Sequence, residues 1–187
     1  MQRFFLASAM AMGMSLAGSV NAQPTNPAAS SILDSIDDEM LRIAISNAGA
    51  SAAPLDDDAN TLRIAFPNGM RGVARRMACI KAPGAQEVEC KGLILLGYFS
   101  KPEGVSKARQ QDALTRFGLE QNLASVIVNR EGEHVVKAYV IFDGGITLEN
   151  LIVRLSLFGA SMKEYQGLLY GPAEKSKTQS VKGEDQS

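Results

Sequence analysis

The chain has 187 residues, with 19 Lys and Arg against 20 Asp and Glu, which gives a formal net charge of −1 at pH 7. Its length predicts one domain built around one hydrophobic core. No block of like charge indicates nucleic acid or anionic lipid as a partner, and two cysteines with one distant histidine do not make a metal site.

The first 22 residues have the pattern of a secretory signal peptide. Arg3 supplies the positive charge, residues 4–17 form an apolar stretch without charge, and Val20 and Ala22 stand at the positions that a signal peptidase reads. The apolar stretch is shorter than the roughly 20 residues of a membrane span, and no stop-transfer segment follows it. We therefore expect cleavage after Ala22, no membrane anchor, and a periplasmic or secreted mature protein.

The mature chain divides into three parts by composition. Residues 23–30 combine prolines with small polar residues and predict a flexible lead-in. Residues 172–187 are charged, rich in serine and free of aromatic side chains, which predicts a disordered tail. Between them, residues 31–171 are expected to form one α+β domain.

The domain is predicted to begin with an amphipathic helix. Ser30 or Ser31 is expected to cap it, and a run ending at Gly49 is expected to stop it, because glycine adopts the left-handed cap conformation readily. Its apolar residues recur at helical spacing and predict a core-facing stripe of Leu33, Ile36, Met40 and Ile43.

Four strands are expected next, because the apolar period changes from 3.6 to 2 after Ala50. The last strand, residues 92–99, is apolar on both of its faces. It should therefore lie at the centre of the sheet, with helices or loops covering each side. The predicted strands span residues 51–55, 61–66, 71–80 and 92–99.

The second half is expected to contain a helix over residues 105–121, a hairpin over residues 124–142 and a final helix capped by Thr147. The fold class is thus α+β, an antiparallel sheet with flanking helices in the order α-β-β-β-β-α-β-β-α. The final helix should bury one wide apolar face, made of Leu148, Leu151, Ile152, Leu155, Phe158, Met162, Tyr165 and Leu169.

The two cysteines, Cys79 and Cys90, predict a structural disulfide in an exported protein. On the chain-entropy model, closing a loop of this length stabilises the fold by about 2.5–3 kcal/mol. A redox-active pair is the alternative, but the cysteines lack the CxxC spacing and a neighbour that would stabilise a thiolate.

Three candidate sites receive an ordinary structural explanation as well. The spacing Asp56-x-Asp58-x-Asn60 resembles the start of a calcium loop, but the positions for glycine and glutamate are occupied by Thr61 and Pro67, so a hairpin turn is favoured. His134, the only histidine, is expected to be partly exposed and structural. The remaining candidate is the basic cluster of Arg71, Arg75 and Arg76. It could bind an anion, but a solvated strand face is the favoured interpretation.

Two apolar residues of the final helix are expected to lie opposite its core stripe. Successive residues advance by 100°, which places Val153 and Leu157 away from Leu151 and Leu155. One interpretation is that isolated surface residues need no partner or that the lead-in covers them. The other is a partner-binding surface, for a second copy or for a client segment.

Several of these segments together resemble the YbjN domain family over about residues 32–169. The most specific one is residues 144–150, Gly-Gly-Ile-Thr-Leu-Glu-Asn, and the spaced Cys79 and Cys90 and the run Gly97-Tyr98-Phe99-Ser100 add to it. The family is described as bacterial sensory transduction regulators, with a fold similar to type III secretion chaperones. Many members carry a Trp-Asn pair late in the second helix, where this chain has Arg116-Phe117-Gly118.

The resemblance implies no catalytic residues and no cofactor. It favours a non-enzymatic exported domain that binds protein, as an envelope regulator or a chaperone-like module. A second copy of the chain is one candidate partner. A sensor that holds an apolar small molecule on the sheet is the alternative, followed by an enzyme whose site the sequence does not disclose.

Overall fold

The computed structural model describes residues 31–81, 83–84 and 88–171. The predicted signal peptide, lead-in and tail lie outside the described residues. Eleven elements follow one another in these ranges: β1 Ile32–Leu33, α1 Asp38–Asn47, β2 Ser51–Leu55, β3 Asp58–Ala65, β4 Arg71–Ile80, β5 Glu89–Phe99, α2 Lys107–Glu120, β6 Ser125–Val128, β7 His134–Ile141, β8 Ile146–Thr147 and α3 Leu148–Tyr170.

Six of the strands form one antiparallel sheet in the order β2-β3-β4-β5-β7-β6. Strand β5 lies between β4 and β7, so the predicted central position of residues 92–99 is confirmed. The α+β class is confirmed as well. Two short strands that the sequence did not predict, β1 and β8, pair with each other and precede α1 and α3.

All three helices pack on the same side of the sheet. Strand β5 turns Leu93 and Leu95 toward them, and both side chains are fully buried. Gly97 leaves room on this side for Met162 of α3, since a Cβ atom at position 97 would overlap that side chain. On the other side of β5, Tyr98 stays 53% exposed. The expectation that helices or loops cover both sides of the strand is therefore wrong for the described residues.

The first helix begins later than the sequence predicts. Asp37 caps it by accepting a hydrogen bond from the Met40 backbone amide at 2.7 Å, whereas residues 32–33 are extended. Tertiary pairing overrides the helical pattern, because Ile36 exchanges backbone hydrogen bonds with Cys90 at the start of β5. The buried face is correspondingly different: Ile43 is 39% exposed, and the fully buried residues are Leu41, Ala44 and Ile45.

The final helix follows the prediction closely. The Thr147 hydroxyl accepts a hydrogen bond from the Asn150 amide at 3.1 Å and fixes the first turn. The predicted apolar face is buried except for Ile152, which is half-buried. The chain reaches Thr147 through a turn in which Gly144 and Gly145 have φ of 88° and 83°, values that favour glycine.

A disulfide joins Cys79 of β4 to Cys90 of β5, with a sulfur–sulfur distance of 2.09 Å. The two cysteines are register partners in adjacent antiparallel strands. Cys90 is fully buried beside Ile36, so the bridge ties the β4–β5 hairpin at the point where the segment before α1 crosses it.

Candidate functional site

The side of the sheet away from the helices is called the open face. Because side chains alternate along a strand and register partners share a side, the strand pairing identifies its members. The open face carries Arg63, Arg71, Val73, Arg75, Ile94, Leu96, Tyr98, Ile127, Lys137, Tyr139 and Ile141.

The middle of the open face is apolar and accessible. Tyr139 is 51% exposed and Ile141 68% exposed on β7, and Tyr98 is exposed farther along β5, where its register partner is Val135. Ile94 and Leu96, the β5 residues between them, are half-buried. Large apolar side chains that share one face on adjacent strands are unlike the scattered exposed residues of an ordinary protein surface.

Most of the charges on the open face are positive. Arg63, Arg71 and Arg75 are exposed on β3 and β4, and Lys137 is half-buried on β7. Arg75 lies 3.5 Å from the Asp58 carboxylate, while no ion pair within the described residues involves the other three cations. Among the paired strands, the carboxylate that reaches this face is that of Asp58 at the start of β3, where it also accepts a hydrogen bond from Thr61, the register partner of Arg75. A chain of nearly zero net charge thus presents a positive face.

A shallow depression of about 490 Å³ lies over the β2–β4 part of this face. Its lining includes Arg63, Arg71 and Tyr98, together with small residues of β2. The low side chains of Ser51 and Ala53 make the edge of the face concave.

The three arginines that stand close in sequence do not form one patch. Arg71 and Arg75 lie on the open face, but Arg76 points to the helix side and is 7% exposed. There its guanidinium donates to the Ala59 carbonyl at 2.8 Å and lies 3.5 Å from the Asp38 carboxylate. Strand alternation contains this information, since odd and even positions face opposite sides. Arg63 and Lys137 were missed because only strand pairing brings them to the same face.

The sequence around Asp58 forms a hairpin turn, as favoured over a calcium loop. The Asp58 carboxylate accepts hydrogen bonds from the Thr61 hydroxyl at 2.8 Å and the Asn60 amide at 3.0 Å. These bonds, the first above all, and the nearby Arg75 and Arg76 lower the pKa of the carboxyl group below its usual value. Its oxygens are thereby occupied by the turn itself.

His134 is structural, but it is buried and not partly exposed as expected: only 1% of it is accessible. Its Nδ1 atom is hydrogen-bonded to the Tyr165 hydroxyl of α3. Burial lowers the pKa of the imidazole and raises that of the Tyr165 phenol, which favours the neutral form of each. Phe99 and Phe117 contact the Tyr165 ring edge-on and enclose the pair. Phe117 occupies the region where the resembling family has its Trp-Asn pair.

A second depression, of about 1090 Å³, lies between the start of α2 and the end of α3. Arg109 crosses it and donates hydrogen bonds to the Leu168 and Leu169 carbonyls at 3.1 and 2.9 Å. These carbonyls have no partner within the helix, so the arginine serves as a cap for α3.

The predicted orientation of Val153 and Leu157 agrees with the structure, where they are 48% and 41% exposed. Ala160 is exposed beside them. They lie on the outer side of α3, away from the sheet. Their role in binding a partner stays a prediction.

No helix within the described residues is long and apolar enough to cross a membrane.

Comparison with known proteins adds a distant structural likeness. No family model and no curated protein matches the chain. Among solved structures, YbjN from E. coli, described as a candidate transcription regulator, is similar over 68% of this chain and 92% of its own, with 12% sequence identity and a TM-score of 0.44. This likeness concerns the fold at most, and at this distance it carries no function across.

Proposed function

We propose that this domain is a non-enzymatic module that binds another protein through the open face of its sheet. The observation that carries the proposal is the exposure of Tyr98, Tyr139 and Ile141 on the same face of the adjacent strands β5 and β7, with the half-buried Ile94 and Leu96 between them. Tyrosine and arginine are enriched at protein interfaces, and an apolar centre with a polar rim is the usual anatomy of such a surface.

The placement of the reactive side chains supports binding over catalysis. His134 and Tyr165 are the pair best suited to proton transfer, but they are buried together beneath the sheet on the helix side. The groups on the open face are arginines, a lysine and tyrosine phenols, which suit recognition more than bond breaking.

The proposed compartment is the periplasm or the exterior. The pattern of residues 1–22 supports export, and the Cys79–Cys90 disulfide suits an oxidising compartment. An envelope regulatory or chaperone-like role is what the resemblance of residues 144–150 to the YbjN domain family implies.

The test is site-specific photo-crosslinking in the cells that make the protein. A photoreactive phenylalanine analogue replaces Tyr139 on the open face or, as the control, Lys107, which is exposed at the start of α2. We expect a discrete protein adduct from position 139 and none from position 107, because adducts report on contacts within a few ångströms. No adduct from position 139, or the same adducts from both positions, would contradict the proposal.

A second candidate is a sensor of small molecules, favoured by the depression over Arg63, Arg71 and Tyr98. Its volume is within the range of about 300–1,000 Å³ that ligand sites usually have. A ligand that binds the folded state raises the melting temperature. Screening small carboxylates with apolar tails, against wild type and Arg71→Gln, would support this candidate if a shift appears only in the wild type.

A further inference from the structure

One row of side chains crosses the open face at a right angle to the strands. Arg63 of β3 pairs with Val73 of β4, Val73 with Leu96 of β5, and Leu96 with Lys137 of β7. The row therefore reads cation, apolar, apolar, cation across four neighbouring strands. No such order is visible in the sequence, where these residues are far apart.

The dimensions of the row match those of an extended polypeptide. Arg63 and Lys137 are separated by three strand spacings, roughly 14 Å. Four residues of extended chain rise roughly 13 Å, and residues i, i+2 and i+4 of such a chain face the same way. A segment lying across the strands would set residues i and i+4 over the two cations, and residue i+2 over Val73 and Leu96.

The charges determine which residues such a segment needs. Arg63, Arg71 and Lys137 have no ion-pair partner among the described residues, and the Asp58 carboxylate that reaches this face lies beside Arg75, outside the row. A second copy bound through the same face would oppose cations to cations, which costs free energy. A carboxylate at both ends complements the row.

The apolar centre argues for polypeptide over single-stranded nucleic acid. Stacking platforms for bases rely on aromatic side chains near one another. On the open face, Tyr98 and the β5 partner of Tyr139, Ile94, are four residues apart on the strand, roughly 13 Å. The surface between them is aliphatic and suits an aliphatic side chain.

Resting on the proposed function, we propose that the partner presents an extended acidic segment of the form acid-x-apolar-x-acid, which lies across β3, β4, β5 and β7. The two acids bind Arg63 and Lys137, and the apolar residue packs on Val73 and Leu96. Arg71, in the adjoining depression, attracts further negative charge from the same segment.

The experiment measures fluorescence anisotropy of a labelled peptide of about a dozen residues, long enough in extended form to cross the roughly 24 Å of a six-stranded sheet. The peptide contains Glu-Ser-Leu-Ser-Glu, and serine fills the rest. Three other probes serve as controls: the same composition with adjacent glutamates, a version with lysine in place of glutamate, and an oligothymidine strand.

Two charge-reversed proteins are compared with the wild type. Arg63→Glu with Lys137→Glu should weaken binding of the spaced peptide about tenfold or more, because like charges then face each other. Lys107→Glu with Lys163→Glu makes the same change in net charge on exposed helical positions and should leave binding within about twofold. Should the first variant lose its circular dichroism spectrum, Arg63→Gln with Lys137→Gln replaces it, with the same expected direction.

The outcomes separate this inference from the proposed function. Equal affinity for the spaced and the adjacent glutamates overturns the proposed spacing. Equal weakening of binding in both charge-reversed proteins overturns the proposed site. Tighter binding of oligothymidine than of the spaced peptide overturns the polypeptide and favours nucleic acid. If position 139 still gives a protein adduct in any of these cases, the binding function stands and only the partner's chemistry is wrong.

Discussion

At the scale of single residues, the buried contact between His134 and Tyr165 joins the sheet to the last helix. Each group satisfies the other in a place that water does not reach. An unpaired polar group there costs about 1–3 kcal/mol, so the contact fixes how α3 sits on β7. It also introduces a titratable group into the core.

The stability of the domain should fall when the pH drops from about 7.5 to about 5. Burial lowers the pKa of His134 below its usual 6.5, so in this window the unfolded chain binds a proton that the folded protein does not. His134→Asn should flatten this part of the pH dependence, measured as urea midpoints. Tyr165→Phe keeps the histidine and should keep the slope, at a cost of about 1 kcal/mol. An unchanged slope in His134→Asn would refute the assignment.

Two helical glycines should respond oppositely to alanine. A Cβ atom at Gly159 of α3 would lie 2.6 Å from Cδ1 of Phe66, a ring held by the neighbouring Phe158, whereas Gly118 of α2 has open space. We expect Gly159→Ala to destabilise the domain by about 1–3 kcal/mol and Gly118→Ala to stabilise it by about 0.5–1 kcal/mol. Thermal unfolding of both variants provides the measurement. Stabilisation by both substitutions would mean that Phe66 moves aside freely.

At the scale of elements, the sequence predicted an element correctly where the residues that determine it lie within the element itself. The last helix was predicted with its cap and core face, because the Thr147 side chain and the apolar period lie within the helix itself. The start of α1 was predicted wrongly, because residues 32–36 obtain their hydrogen bonds from β8 and from the start of β5. Such partners come from distant parts of the chain, so they produce no periodic pattern in residues 32–36 themselves.

The outer side of α3 offers a test of the predicted partner surface. Leu157 is 41% exposed, so Leu157→Asp should leave the domain folded while it abolishes self-association or partner capture, if a packed interface forms there. Ser156→Asp, at an exposed neighbouring position, is the matched control and should leave association intact. Light scattering measures association and circular dichroism measures folding. Unfolding of Leu157→Asp would place this residue in the core. If Leu157→Asp still associates as the wild type does, this surface does not bind the partner.

At the scale of the whole molecule, the sequence predicted one antiparallel α+β domain with β5 at its centre. It did not predict that the helices leave one side of the sheet open. The apolar residues Ile94, Leu96 and Tyr98 suggested a strand buried on both sides, and a strand pattern alone does not separate a covered face from one exposed for binding. The candidate site was missed for the same reason, since Arg63 and Lys137 meet only through strand order.

Mature protein from the periplasm should begin at Gln23 and contain an oxidised Cys79–Cys90 pair. Intact mass should show the loss of residues 1–22 and of two further hydrogens. Reduction should lower the melting temperature by several degrees, as expected for about 2.5–3 kcal/mol of chain entropy. The melting temperature of the double variant Cys79→Ala, Cys90→Ala should not change when reductant is added. Two free thiols, or retention of residues 1–22, would contradict this prediction.

The pairing of β1 with β8 joins the first described residues to a segment near the other end of the domain. A chain that emerges from a ribosome or a translocation pore with its N-terminus first cannot complete this pair until β8 has emerged too. The β4–β5 hairpin closes between neighbours, but β1 must wait for distant residues, and distant pairings form slowly. The β1–β8 pair is thus expected to form after the hairpins, and β1 stays unpaired until β8 has emerged.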